Sequence, residues 1–155
     1  MGTAAAQYLT DRDIPFILHR HESIVTFEDA KAVLPFDPGC MVKGLAFEHP
    51  DGSIAVIALR AADSVDYRRV ATALGVRRAD LRKAPPERIE AQLDMQVGGI
   101  APIPVPNAVV FVDRAVLELD LILCGSGRRE VTLELTADAF AKLSATTVGD
   151  FRKVV

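Results

Sequence analysis

Lys43 interrupts an otherwise apolar run, Met41-Val-Lys-Gly-Leu-Ala-Phe47. An ammonium group taken out of water is costly unless a partner meets it. Two placements answer that cost. One is an edge strand with the amine in solvent; the other is a cleft where the amine meets a phosphate or a developing oxyanion. Gly44, beside it, lets a ligand approach the strand backbone. A second segment bears on the same chemistry. Met95–Pro106, MQVGGIAPIPVP, carries two adjacent glycines and three prolines in twelve residues, without a charge. Glycines 98 and 99 permit unusual dihedrals, so successive amides can converge on one oxygen. Pro102, Pro104 and Pro106 stiffen the chain beyond the glycines. The alternative is a loop that only threads between elements.

The other reactive residues give less. His19 and His21 share one face of a strand and supply half a metal site, whereas zinc takes three or four protein ligands. No further His or Cys lies at a supporting spacing, so neither metal nor cofactor is expected. Cys40 and Cys124 lie far apart and read as free buried thiols. Nothing around them resembles an activated-cysteine signature, and Cys-His or Ser-His pairs meet only in the fold. Gly125-Ser-Gly-Arg-Arg-Glu130 begins like a dinucleotide fingerprint but lacks the third glycine and the following helix. It reads as a hairpin turn, with a glycine-rich loop aimed at a ligand as the other option.

These residues need a scaffold. The 155-residue chain fits one domain, 1–155, with 50% hydrophobic and 25% charged residues. No apolar run is long enough to span a bilayer and no signal-like N-terminus precedes the domain, so a cytoplasmic protein is expected. A net charge of −3 argues against bulk polyanion binding. Basic pairs at 68–69, 77–78, 82–83, 128–129 and 152–153 leave room for a local positive face or for solvated helix surfaces.

The chain order predicts a mixed α+β or α/β domain with more strands than helices. Residues 3–10 suit a short helix and 15–19 a strand. Thr26-Phe-Glu-Asp29 matches a capping box opening a helix that Pro35 stops. Strands over 41–47 and 53–59 flank His49-Pro-Asp-Gly52, an antiparallel hairpin whose second strand, apolar on both faces, belongs inside a sheet. Helical spacing of Tyr67, Val70, Ala71 and Leu74 ends at Gly75. A short element over 77–83, a helix over 87–93 and a strand over 109–112 come next. Paired strands over 116–124 and 130–135 then lead into a helix capped by Thr136 and running to about Leu143.

Taken in order, four blocks resemble the YbaK/EbsC family, aminoacyl-tRNA deacylases related to the editing domain of bacterial prolyl-tRNA synthetases. They are His21-Glu-Ser-Ile-Val-Thr-Phe-Glu-Asp-Ala30, Val42-Lys-Gly-Leu45, Val97-Gly-Gly-Ile-Ala-Pro102 and Cys124-Gly-Ser-Gly-Arg-Arg129. The resemblance covers roughly residues 14–143. It implies a YbaK-like, mostly antiparallel, barrel-like mixed sheet surrounded by helices. It also implies hydrolysis of the ester joining a wrong amino acid to a tRNA 3′ end, with prolyl-tRNA synthetase as a candidate partner.

On that resemblance Lys43, Gly98 and Gly99 are the catalytic positions. Lys43 would hold a phosphate or the terminal ribose, and amides around Gly99–Ala101 the scissile carbonyl or the amino acid. Ile100, Ala101, Pro102, His21 and Thr26 would bind substrate. The hairpin Gly125, Ser126, Gly127 and Arg128 would close the pocket, with Arg128 available for the nucleic-acid backbone. The family generally lacks an obvious protein base, and water or a substrate group attacks within a shaped pocket. Two departures stand out: Asp94-Met95 where many members carry a Gly-aromatic pair, and Ala101 where many carry Ser. A hydroxyl lost at the pocket would change the preferred amino acid. The alternatives are a non-catalytic tRNA, nucleotide or amino-acid binding module on the same fold, and, more weakly, a DNA binder without a recognisable groove-entering helix.

Overall fold

The computed structural model describes residues 3–143 and 146–154. The chain runs α1 (Ala4–Asp11), β1 (Ile17–Arg20), α2 (Phe27–Val33), β2 (Val42–Glu48), β3 (Ile54–Arg60), α3 (Tyr67–Leu74) and α4 (Pro86–Leu93). It continues through β4 (Ala108–Asp113), β5 (Leu121–Gly125), β6 (Val131–Thr136), α5 (Ala137–Ala141) and β7 (Thr146–Gly149). The fold is the mixed α/β arrangement expected, with strands outnumbering helices among the described residues.

The strands form two sheets, in the orders β1-β6-β5 and β2-β3-β4-β7. Three of the five pairings are antiparallel; β3–β4 and β4–β7 are parallel. The barrel-like expectation needs refinement here, because the described strands do not close. One isolated parallel bridge, Met41 to Leu123, links the sheets. Beyond it the 98–101 segment passes between β2 and β5. A Cβ on Gly44 would lie 3.1 Å from the Ile100 carbonyl oxygen, and one on Gly125 would lie 2.6 Å from the Gly99 carbonyl carbon. The two strands splay around this backbone, and a cavity opens beside it.

Side-chain pattern explains the layers. Ile54 through Leu59 on β3 are each fully buried, because α3 covers one face and the inter-sheet core the other. Val56, Ile122, Leu133, Leu135 and Phe140 meet in the larger core. Phe47, Ile57, Leu59, Val70 and Phe111 form the smaller one. The α2 capping box forms as its residues dictate: Asp29 N donates to Thr26 Oγ1 at 3.1 Å, and Thr26 N to Asp29 Oδ2 at 3.2 Å. The strand expected over 116–124 starts only at Leu121, because Asp113 caps a 3-10 turn over Arg114–Glu118 first. Asp113 is 1% exposed, and its Oδ1 accepts from the Phe151 and Arg152 amides, fastening the C-terminal segment.

Candidate active site

A cavity of about 600 Å³ opens between the splayed sheets. One wall is the start of α2, with Thr26, Phe27 and Ala30; the floor is β2 with Lys43 and Gly44. Gly98, Gly99 and Ile100 line it, and Gly125, Arg128 and Arg129 come from the β5–β6 hairpin. Lys83, Pro85 and Ile89 stand on the side of α4. No aspartate or glutamate is among the described lining residues. The polar character of the cavity is therefore cationic.

Lys43 is half-buried, and its Nζ donates to the backbone oxygen of Asp63. Burial lowers its pKa, with the nearby Asp63 carboxylate opposing that shift. Asp63 is itself fixed by Arg60, Nε to Oδ2 at 2.8 Å and Nη2 to Oδ1 at 3.2 Å. The amine is thus anchored by a carbonyl but not neutralised by a direct ion pair. A cation in that condition attracts an anion strongly.

The glycine pair owes its existence to close packing. Gly98 adopts φ +93°, and a Cβ there would meet Val25 Cα at 2.8 Å; one on Gly99 would meet the Arg128 carbonyl at 2.7 Å. Three backbone segments, 24–25, 98–100 and 125–129, are stacked here. Gly127 N donates to Gly99 O at 2.6 Å and Gln96 N to Gly127 O at 2.9 Å.

This packing corrects part of the expected donor set. The Gly99 amide donates to Gln96 O at 2.9 Å, closing a turn, and the Ala101 amide meets Met95 Sδ at 3.4 Å. Among the described residues the Gly98 and Ile100 amides have no protein acceptor, and both residues line the cavity.

Of the expected residues, Lys43, Gly98, Gly99, Ile100, Gly125, Arg128, His21 and Thr26 line the cavity. Ala101, Pro102, Ser126 and Gly127 do not. Ala101 and Pro102 are buried behind the loop, so the missing hydroxyl at 101 leaves no gap in the cavity wall. Ser126 is wholly buried, and its hydroxyl donates to Val131 O at 2.6 Å. Gly127, at φ +103°, serves the turn. Thr26 uses its hydroxyl in the α2 cap. Arg128 is engaged within the protein: Nη1 donates to Asp94 O at 2.9 Å and Nη2 to Asp94 Oδ1 at 3.2 Å. The Asp94-Met95 departure thus acts on the frame behind the cavity.

Several lining residues escaped the sequence reading. Arg129 donates from Nε to Val97 O at 2.7 Å, tying hairpin to loop. Lys83 lines the cavity beside Ala84 and Pro85. Thr132 is 8% exposed, and its Oγ1 lies 2.7 Å from His21 Nε2, while His21 Nδ1 lies 2.6 Å from Glu22 O. This contact joins residues 111 apart through strand pairing, and Thr132 in Val131-Thr-Leu-Glu-Leu135 reads locally as ordinary alternation. His19 is held by Glu134 Oε1 at 2.8 Å. Among the described residues no group of three or more His, Cys, Asp and Glu side chains gathers in a metal-binding arrangement. Cys124 lines the cavity, but full burial pushes its thiol up to about 12. It carries no thiolate at neutral pH. Cys40 is half-exposed rather than buried.

No curated protein matches the chain. The crystal structure of the hypothetical protein APE2540 superposes with a TM-score of 0.83 at 20% identity, over 97% of this chain and 99% of the other. A protein proposed to be a trans-editing enzyme for prolyl tRNA synthetase superposes at 0.81 and 19% identity, over 97% and 96%. A protein from Marinobacter aquaeolei VT8, assigned to signal transduction, matches at 0.68 and 21% identity, over 97% of this chain but 30% of its own. At these identities the likeness shows the fold. The profile of the aminoacyl-tRNA editing domain matches residues 21–143, and the chain therefore belongs to the aminoacyl-tRNA editing domain family.

Proposed function

We propose that the protein is a cytoplasmic trans-editing deacylase that hydrolyses the ester of mischarged aminoacyl-tRNA, with proline-type tRNA as the preferred acceptor. The observation that carries this reading is Lys43. Half-buried Lys43 lines a cavity with no carboxylate among its described lining residues, and the Gly98-Gly99 turn lies in the same cavity wall. An ester that develops negative charge on its carbonyl oxygen gains from fixed donors, and each is worth about 3 kcal/mol of barrier. The Gly98 and Ile100 amides supply such donors, and Lys43 holds the phosphate or ribose of the terminal nucleotide. The apolar wall of Phe27, Leu34, Met41 and Leu123 favours an uncharged amino-acid side chain. The proline-type acceptor is supported by the name of one structural relative.

The nucleic acid leaves the cavity past Lys83. The Lys83 amine lies 6.0 Å from the Tyr67 ring centre, and the Arg78 guanidinium lies 4.9 Å from the same ring. Tyr67 in turn packs edge-on against the cavity residue Phe47 at 6.2 Å. Two cations are thereby gathered at the mouth on one aromatic plate, suited to backbone phosphates.

The test is a panel of mischarged tRNAs in which amino acid and acceptor vary independently. Wild type cleaves at least one ester much faster than Lys43→Ala does. Equal rates for both proteins across the panel overturn the reading. A non-catalytic binding module on this fold is the second reading. It is favoured by the engagement of the Gly99 amide and of Arg128 inside the protein. Tight tRNA binding without turnover would establish it.

A further inference from the structure

We infer that the Thr132 hydroxyl and the His21 imidazole form the proton-accepting pair for the hydrolytic water. This assignment rests on the deacylase reading above and adds to it a base that the loop and Lys43 do not provide.

The tautomer is set by the partners. A backbone carbonyl only accepts, so the 2.6 Å contact between His21 Nδ1 and Glu22 O places the ring proton on Nδ1. When the ring is neutral, Nε2 is then an acceptor to which Thr132 Oγ1, 2.7 Å away, donates. The Thr132 oxygen keeps lone pairs that can accept from a further donor. A hydroxyl held by an imidazole whose far nitrogen is oriented by a third group is the arrangement that proton transfer from a nucleophile requires. His21 is also fixed through its backbone, its amide donating to Glu130 O at 2.9 Å.

Position supports the assignment. Both side chains line the cavity, and no other described lining residue offers a neutral base. Thr132 is the register partner of Gly125, and the Met41–Leu123 bridge sets β2 beside β5. Lys43 and Gly125 each lie two residues beyond the bridge pair, so both share its face. Thr132, opposite Gly125, shares that face too. Gly125 contributes no side chain between them, and the Gly99–Ile100 backbone lies over it. An ester carbonyl at the Gly98 and Ile100 amides would therefore have the cation on one side and the hydroxyl–imidazole pair on the other.

In the step itself, a water oxygen bonds to the ester carbonyl carbon. The water gives its proton to Thr132 Oγ1 as Thr132 passes its own to His21 Nε2. The carbonyl electron pair moves onto oxygen, beside the free amides. Collapse of that oxyanion breaks the bond to the ribose oxygen. The ribose oxygen recovers the proton from His21 through Thr132, leaving a free amino acid and an intact 3′ end.

Steady-state deacylation by Thr132→Val, Thr132→Ser and His21→Gln tests the pair, alongside binding of uncharged tRNA. Valine keeps the shape and removes only the hydroxyl. We expect kcat to fall about 100-fold or more in Thr132→Val and His21→Gln, with KM and uncharged-tRNA affinity near wild type and with Thr132→Ser retaining most activity. Nitrogen-15 spectra of His21 should show the Nδ1-protonated neutral ring. Active wild type with undiminished Thr132→Val overturns the pair alone. An Nε2-protonated neutral ring does the same, whatever the rates. An acyl-threonine trapped by mass spectrometry would replace the relay by a covalent route and so overturn it. Wild type without turnover on any ester removes the deacylase reading and this assignment together.

Discussion

Ile100 fills the space that a side chain on Gly125 would need. The Ile100 carbonyl and the Gly99 peptide sit where a side chain on Gly125 would be, with the Gly99 carbonyl carbon 2.6 Å from the position of a Cβ. The missing side chain lets the 98–101 backbone cross between two strands, and the crossing holds the sheets apart to form the cavity. Gly125→Ala should therefore cost stability and not only activity. Overpacking of this kind costs about 2–3 kcal/mol, which in a domain of this size lowers Tm by roughly 6–10 °C. Gly75→Ala is the control. It has a left-handed φ of +72° but open space around its Cβ, so its cost is the backbone term of about 1 kcal/mol. Denaturant melts of both variants check the order.

Lys43 predicts a pH dependence whose sign is set by burial. Its folded-state pKa lies below the ordinary value of 10.5, chiefly through desolvation. The unfolded chain thus binds the Lys43 proton more tightly than the folded one does. Stability should rise with pH across the alkaline window just below 10.5, as the native amine deprotonates first. Below that window the strain of a charged, half-buried amine is fully present. Lys43→Met should be more stable than wild type at neutral pH, lose the alkaline rise and lose deacylation. Urea melts at several pH values read the slope. An identical slope in wild type and Lys43→Met would contradict the assignment.

Local chemistry made much of this legible. The Thr26–Asp29 box, the 41–59 hairpin and the Gly75 stop all arise from short-range rules, and each forms as those rules require. The apolar surroundings of Lys43 left an edge strand and a cleft both open, because the cost of burying an amine is a local property. β2 is an edge strand, and Lys43 lines the cavity from it. The hidden features depend on distant partners. Nothing near Gly99 says that Gln96 takes its amide, and nothing near Arg128 says that Asp94 holds its guanidinium. His21 and Thr132 meet only because β1 pairs with β6. The family resemblance puts Ala101 among the substrate-binding positions, yet the chain dives behind the loop after Ile100.

Cys124 touches the cavity but is not its nucleophile. With full burial pushing its thiol up to about 12, the reactive thiolate is negligible at neutral pH. Cys124→Ala should keep kcat within a few-fold of wild type. In the native protein a thiol reagent at neutral pH should modify the half-exposed Cys40 alone, and both cysteines only after denaturation. Rapid native labelling of Cys124, with loss of activity, would reverse this conclusion.

The mouth residues make the salt dependence of tRNA binding specific. Arg77 and Arg69 are already engaged with Asp80 and Asp66. Arg78 and Lys83 sit instead on the Tyr67 ring, which orients a cation without neutralising it. Each contact to a phosphate on a single strand contributes about 0.7 to the slope of log affinity against log salt. The double variant Arg78→Ala/Lys83→Ala should flatten that slope by about 1.4 and weaken binding of uncharged tRNA about tenfold or more at moderate salt. Arg77→Ala should change the slope little, because its guanidinium is held by Asp80. Deacylation of a short aminoacyl-nucleoside, too small to reach the mouth, should be nearly unaffected by the double variant. Its KM for full-length tRNA should rise while kcat holds, since these cations position the strand outside the cavity and do not touch the ester. Loss of turnover on the short substrate as well would place Arg78 and Lys83 in the chemistry and remove them from the strand path.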